Sequence, residues 1–180
     1  MDFLDILREK AFLGREFLTW LWFKSEQTGG AIEVPGGKII EVVFNDRMML
    51  DLTDVDTPQT VSIKGEFSEL REGLAAIREG KKIEEARISL KSAENEFSVI
   101  IKGSWFSFGS LRTPRTAPIE DGGDEDIEGA FLEKVGLIEE GLGLIDSLFS
   151  YFISLRISDD WESGELPKIR KWASYDAPNL

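Results

Sequence analysis

The stretch AIEVPGGKIIEVVFNDRMMLDL, residues 31–52, decides the fold class of this chain. Pro35-Gly36-Gly37 is typical of a tight turn, and Asn45-Asp46 lies where a second hairpin turn is expected. With one further run downstream, four β-type runs are predicted: Ala31–Val34, Lys38–Phe44, Arg47–Leu52 and Thr60–Lys64. Because short turns separate most of these runs, the pattern predicts an antiparallel meander.

The sequence on either side of the meander predicts helices and two further strands. Residues 2–27 are typical of a helix in two pieces hinged near Gly14, and the second piece is apolar on nearly every side. Phe67–Gly80 has apolar residues three and four positions apart, which predicts an amphipathic helix. Ile83–Lys91 and Glu96–Phe108 are predicted to be strands.

The clearest helical pattern runs from Ile127 to about Ile157. Its seam advances in alternating steps of four and three residues, which is a heptad pattern: Phe131, Val135, Ile138, Leu142, Ile145, Phe149 and Phe152. Gly136, Gly141 and Gly143 weaken this helix, so we expect a bend or a close packing contact there.

The elements together predict one α+β domain over residues 1–180. We expect an antiparallel sheet of five or six strands, flanked by N-terminal helices, one central helix and a long C-terminal amphipathic helix. In this division, 1–112 hold helices and sheet, 113–124 form an acidic Pro/Gly loop, 125–158 form the long helix and 159–180 form a tail.

Composition narrows the possible chemistry. The chain carries 34 acidic and 21 basic residues, a net charge of −13, and contains neither His nor Cys. Nucleophile pairs that use His or Cys, His or Cys zinc sites and disulfides are therefore excluded. We expect a cytoplasmic, non-enzymatic protein without metal or cofactor, and without a membrane-spanning segment because no apolar run approaches about 20 residues.

One region departs from the acidic character of the chain. Residues 97–119 contain no carboxylate, and their cations are accompanied by aromatic residues that could stack on bases. A second small basic group follows near the C-terminus. The candidate nucleic-acid-binding residues are Lys102, Trp105, Arg112, Arg115, Lys168, Arg170 and Lys171, and the alternative for the aromatic residues is a place in the core.

Two acidic clusters have competing interpretations. Asp46, Asp51, Asp54 and Asp56 could converge on Mg²⁺ in a phosphoesterase, although their spacing is more typical of a solvated turn. Six of the nine residues from 120 to 128 are acidic. They either regulate binding by imitating phosphate or begin the long helix, since carboxylates stabilise a helix N-terminus.

Three stretches carry a family resemblance. The run FLGREFLTWLWFKSE at 12–26, the predicted helix at 69–82 and FLEKVGLIEE at 131–140 resemble segments of bacterial recombination-associated, RdgC-like proteins. That resemblance implies a nucleoid-associated protein that occupies DNA without strong sequence preference, does not cut it, and assembles as a ring-like dimer with a basic lumen. This chain differs from that expectation in its few clustered cations.

Two functions therefore follow as hypotheses. The first is a DNA-associated, homo-oligomeric protein that uses the basic residues named above. The second is an acidic interaction or scaffold module that dimerises through the C-terminal helix and does not bind nucleic acid. Basic side chains gathered on one face would favour the first hypothesis, and an uncovered apolar seam would favour the second.

Overall fold

The fold is a six-stranded antiparallel sheet with helices against one face, seen in a computed structural model that describes residues 3–51, 60–63, 68–93, 95–116 and 124–174. The helices are α1 (Phe3–Thr28), α2 (Ser68–Arg78), α3 (Asp124–Arg156) and α4 (Leu166–Ala173). The strands are β1 (Ala31–Val34), β2 (Lys38–Asp51), β3 (Thr60–Ile63), β4 (Lys82–Ser92), β5 (Asn95–Lys102) and β6 (Ser107–Arg112). The predicted α+β class is confirmed.

The sheet has the order β1-β2-β4-β5-β6, and β3 pairs with the far end of β2. Alternate residues of each central strand are buried, for example Ile88 and Leu90 of β4 and Val99 and Ile101 of β5. These side chains point to the face that α1 crosses. The other side of the strands forms what we call the open face, because no described helix covers it.

The core joins the sheet to the apolar half of α1 and to the C-terminal half of α3. Trp20 and Phe152 are fully buried and their rings lie 5.5 Å apart. Trp172 of α4 contacts Trp22 with ring centroids 5.0 Å apart, in an edge-to-face arrangement. Such aromatic pairs stabilise the packing by about 0.5–1.5 kcal/mol beyond the area they bury.

Two predictions about turns are wrong. Asn45-Asp46 is not a hairpin, because β2 continues through it as one strand that is paired with β4 on both sides of a register shift between Phe44 and Met48. The extra residues are taken up by a bulge, which bends a strand without reversing it. Conversely, the predicted strand 96–108 turns back after Lys102, so its last residues belong to β6.

The predicted interruptions of the helices do not occur. Helix α1 passes through Gly14 without a hinge, and α3 passes through its glycines as one continuous helix. In α3, Gly141 faces the ring of Phe97, and a Cβ there would stand 2.9 Å from the ring. The glycine therefore permits close packing, which was the alternative expectation.

The predicted C-terminal tail is helical over most of its described length. A π-helical turn, Trp161–Glu165, connects α3 to α4. Helix α4 contacts α1 and α2, so this segment packs on the body of the domain. The predicted acidic loop at 113–124 lies mostly outside the described residues.

Candidate interaction surfaces

The heptad seam of α3 divides into two halves with different surroundings. In the C-terminal half, Ile145 and Phe152 are buried, and the half-buried ring of Phe149 packs 4.2 Å from that of Phe106. This half contributes to the domain's own core. The seam does not stop there, since the same spacing continues toward the N-terminus of the helix.

The N-terminal half of the seam is uncovered. Phe131 is 65% exposed and Leu132 60% exposed, values far above those of a core residue. We call this surface the exposed stripe; it comprises Ile127, Phe131, Leu132, Val135, Ile138 and Leu142, of which only Val135 is half-buried. A contiguous apolar surface of this kind usually marks an interaction site.

Three contacts fix this half of α3 against the sheet while leaving the exposed stripe uncovered. Asn95 Nδ2 donates a hydrogen bond of 2.8 Å to Glu140 Oε2. Lys134 Nζ donates to Thr113 Oγ1 beyond β6, and Phe97 packs against the helix backbone at Gly141. The orientation of the stripe is therefore set by the polar and apolar contacts that neighbouring positions of the helix make with the sheet and with Thr113.

The open face of the sheet carries a second candidate surface. Ser98 pairs with Arg112 and Ile100 with Arg87, which places both arginines on this side of the sheet. Lys91 and Lys102 occupy the same side by alternation along their strands. Four cations thus share one face in a protein whose net charge is −13.

Carboxylates on the same face reduce its positive potential. Lys91 Nζ lies 3.7 Å from Glu41 Oε2, and Lys102 Nζ lies 3.9 Å from Glu85 Oε2. Both pairs are long and both lysines are exposed, although the Glu85 side chain is mostly buried, so each pair contributes little to stability. The exposed ammonium groups of both lysines can still contact an anionic ligand, although the neighbouring carboxylates partly balance their charge.

The sequence-predicted basic residues fall into two separate groups. Lys102 and Arg112 lie on the open face, Trp105 is exposed in the turn after β5, and Arg115 is exposed beyond β6. The other predicted cations lie on α4, whose contacts are with α1, α2 and the π-helical turn: Lys168, Arg170 and Lys171. Lys168 is also within 3.5 Å of Glu165.

Sequence reasoning missed Arg87 and Lys91 as members of the open face. The signal was present, because both alternate with the buried Ile88 and Leu90 in a correctly predicted strand. What the alternation could not show is which strands are neighbours. Only the pairing of β4 with β5, and of β5 with β6, brings these cations beside Lys102 and Arg112.

The proposed metal-binding aspartates are only partly described. Asp51 ends β2, and its buried Oδ1 has no hydrogen-bond partner among the described residues. Asp54, Asp56 and the side chain of Asp46 lie outside the described part. Within that part, no three His, Cys, Asp or Glu side chains form a group that could hold a metal ion.

An open groove of about 580 Å³ lies beside the edge strand β1. Lys24, Thr28, Glu33 and Tyr151 contribute its polar side chains. The ammonium of Lys24 is held by Glu165 at 3.0 Å. Glu33 and Tyr151 are the other titratable side chains in its lining.

Glu26, near this end of α1, has a pKa shifted by its surroundings. Partial burial raises the pKa of Glu26, and the nearby indole N–H of Trp22 partly opposes that effect. The indole nitrogen has no acceptor within hydrogen-bond distance in the described structure. Burial therefore dominates, because it disfavours the charged form of the carboxyl group.

Comparisons with protein-family models, curated proteins and solved structures found no match to this chain. The resemblance to RdgC-like proteins stays a prediction. In the described residues, no helix is both long enough and apolar enough to span a membrane.

Proposed function

We propose that this chain is a non-enzymatic interaction module that pairs with a second copy of itself through the exposed stripe of α3. The observation that carries the proposal is the continuity of one heptad seam across two environments. Its C-terminal half is buried in the domain's own core, whereas its N-terminal half exposes Phe131, Ile138 and Leu142. We take the protein to act in the cytoplasm, as expected from the sequence.

A second copy is the partner that fits this surface best. From Ile127 to Leu142 the exposed stripe extends about 23 Å along the helix, at a rise of about 1.5 Å per residue. A helix with the same spacing of apolar residues can interdigitate with it along that whole length. An identical chain offers that spacing without a further partner, and closed pairs of identical chains are the commonest oligomers.

The energetic gain is large enough to matter. Fully burying one large apolar side chain stabilises an assembly by about 1.5–3 kcal/mol. The exposed stripe offers five exposed apolar side chains per copy, Ile127, Phe131, Leu132, Ile138 and Leu142. Only part of this gain would appear as affinity, because association also costs translational and rotational freedom.

The test is the molar mass of the full-length chain in solution, measured by light scattering and by sedimentation from about 1 to 100 µM. We expect a dimer, and we expect Phe131→Glu and Ile138→Glu to give monomers that keep the wild-type circular dichroism spectrum. Ile157→Glu is the matched control, because Ile157 is 80% exposed but lies beyond the end of α3. A monomer throughout this concentration range, or a dimer insensitive to both stripe variants, would overturn the proposal.

A second candidate function is DNA association across the open face, without strong sequence preference. The specific observation in its favour is that Lys102 and Arg112, both expected to contact phosphate, share this face with Arg87 and Lys91. An acidic protein can bind DNA when its cations are gathered locally, since binding depends on the phosphates that are neutralised. The ion pairs at Glu41 and Glu85 weaken that support, and we therefore rank this function second.

A further inference from the structure

We infer that the two copies pair in parallel and in register, so that Lys134 of each chain meets Glu139 of the other. This inference rests on the proposed function and adds the orientation of the pair. It follows from the residues that border the exposed stripe, which the heptad assignment places in specific positions.

The buried half of the seam fixes the heptad positions of the exposed half. Phe131 and Ile138 occupy d positions, and Val135 and Leu142 occupy a positions. Ile127 and Lys134 then occupy the g positions on one border of the seam. Leu132 and Glu139 occupy the e positions on the other border. Each border of the seam therefore carries one apolar residue and one charged residue, and the two charges are opposite.

In a parallel pair of helices, a g residue faces the e residue located five positions later in the partner. Ile127 therefore faces Leu132 of the second copy, and Lys134 faces Glu139 of the second copy. Both contacts are complementary, one apolar and one ionic, and the two-fold symmetry forms each of them twice. The parallel register also accounts for Ile127 and Leu132, which are exposed although they lie outside the a and d positions.

An antiparallel pair would be less favourable. In that arrangement g residues face g residues and e residues face e residues. An a residue then faces a d residue, so the whole stripe overlaps when Val135 faces Ile138 and Phe131 faces Leu142 of the second copy. In that register Glu139 faces Leu132, and Lys134 faces Gly141. A lysine without a partner and a carboxylate against an apolar side chain would thus replace the two kinds of favourable contact. The parallel pair brings Glu128 opposite Glu128 at the N-terminal end of the stripe, but this one unfavourable contact is outweighed by two Lys134–Glu139 and two Ile127–Leu132 contacts, which select the parallel orientation.

The side chains needed for this pairing are accessible. Lys134 is exposed; its ammonium donates to Thr113 Oγ1 and has no ion pair among the described side chains. Glu139 is exposed as well. The exposed half of the seam begins after Glu128, the a position before Val135, and ends where the buried half starts at Ile145.

The absence of cysteine from the chain allows a direct test of orientation by disulfide formation. At an a position of a parallel pair, Glu128→Cys would lie beside its own counterpart and give a disulfide-linked dimer on mild oxidation. Gly129→Cys is the matched control, because residue 129 points away from the seam and should cross-link far less. In an antiparallel pair, Glu128→Cys would not link to itself, whereas Phe131→Cys and Leu142→Cys would cross-link to each other in a mixture.

The three outcomes have different meanings. Self-linked Glu128→Cys dimers support the parallel register. Cross-links between Phe131→Cys and Leu142→Cys, without self-linked Glu128→Cys dimers, overturn that register but leave the dimer intact. A wild-type chain that stays monomeric by light scattering overturns both the register and the proposed function.

A charge exchange provides an independent measurement. Lys134→Glu and Glu139→Lys should each raise the dimer dissociation constant about tenfold, because each turns two attractive pairs into repulsive ones. The double variant Lys134→Glu/Glu139→Lys should return the constant to near its wild-type value. A double variant as weak as the single ones, in sedimentation at low salt, would overturn the assigned pairing.

Discussion

Gly14 of α1 lies directly against Gly103 in the turn between β5 and β6, so that a Cβ built on Gly14 would overlap the carbonyl oxygen of Gly103. Gly103 N–H donates to the carbonyl of Glu84 at 2.6 Å, and Arg15 Nε donates to Glu84 Oε2 at 2.7 Å. Two backbones thus cross without intervening side chains, and one ion pair beside the crossing holds them. This contact joins the N-terminal helix to the sheet.

Replacing Gly14 with alanine should destabilise the domain by about 1–3 kcal/mol, the usual cost of inserting an atom into a closely packed contact. Alanine ordinarily stabilises a helix relative to glycine, so a loss of stability in Gly14→Ala would show that the contact with Gly103 outweighs helix propensity. Gly136→Ala is the control, because a Cβ there meets nothing within 4 Å. We expect it to stabilise the domain by about 0.5–1 kcal/mol in urea unfolding. Equal effects of the two substitutions would contradict the contact at Gly103.

Removing one partner of the ion pair between Lys24 and Glu165 should destabilise the domain strongly, whereas removing both partners should cost much less stability. Lys24 Nζ lies 3.0 and 3.1 Å from the two oxygens of a carboxylate that is only 9% exposed. Lys24→Met should cost about 3–5 kcal/mol, because it leaves a buried charge with less compensation. The double variant Lys24→Met/Glu165→Leu should regain most of that loss. Additive losses in thermal and urea unfolding would contradict this account.

Ionisation of Glu26 should lower the stability of the folded protein. Because its pKa in the folded state is raised above the ordinary value of 4.5, the folded state binds more protons than the unfolded state as pH rises past that value. Stability is therefore lost between about pH 4.5 and the folded-state pKa and is not regained at neutral pH. Glu26→Gln should be more stable than wild type at pH 7.

The pH profile provides the check on Glu26. Urea unfolding at intervals from pH 3.5 to 7.5 should show the advantage of Glu26→Gln disappearing near pH 4, where the carboxyl group is protonated in both states. An advantage that is constant with pH would mean that the substitution acts through packing or helix propensity. That result would contradict a raised pKa at this position.

If the protein associates with DNA, the open face and α4 can be separated by two variants of equal charge. Lys102→Ser/Arg112→Ser should lower DNA affinity about tenfold or more at 50 mM salt and reduce the salt dependence. Lys168→Ser/Lys171→Ser on α4 should leave the affinity nearly unchanged. A larger loss of DNA affinity in the α4 variant would mean that DNA binds at α4. A wild-type chain that does not bind DNA would exclude this second function.

The interaction surface was only partly predictable. The spacing of Phe131, Ile138 and Leu142 identified an apolar seam, but the same spacing describes a buried helix and an uncovered one equally well. Gly141 packs on Phe97 near the boundary between the buried and the exposed half of the seam. No local pattern encodes that boundary, because it depends on residues more than 40 positions apart.

The sequence by itself determined the α+β class, the long C-terminal helix and the periodic faces of the strands and of α3, because side-chain alternation and heptad spacing are local properties of the chain. The tertiary structure alone decided that β2 runs through Asn45-Asp46, that α1 is one continuous helix through Gly14, and that four of the described cations share the open face. Each of these depends on which segments lie side by side, and strand pairing and backbone crossings join residues far apart in sequence. A turn dipeptide or a glycine cannot reveal such a partner.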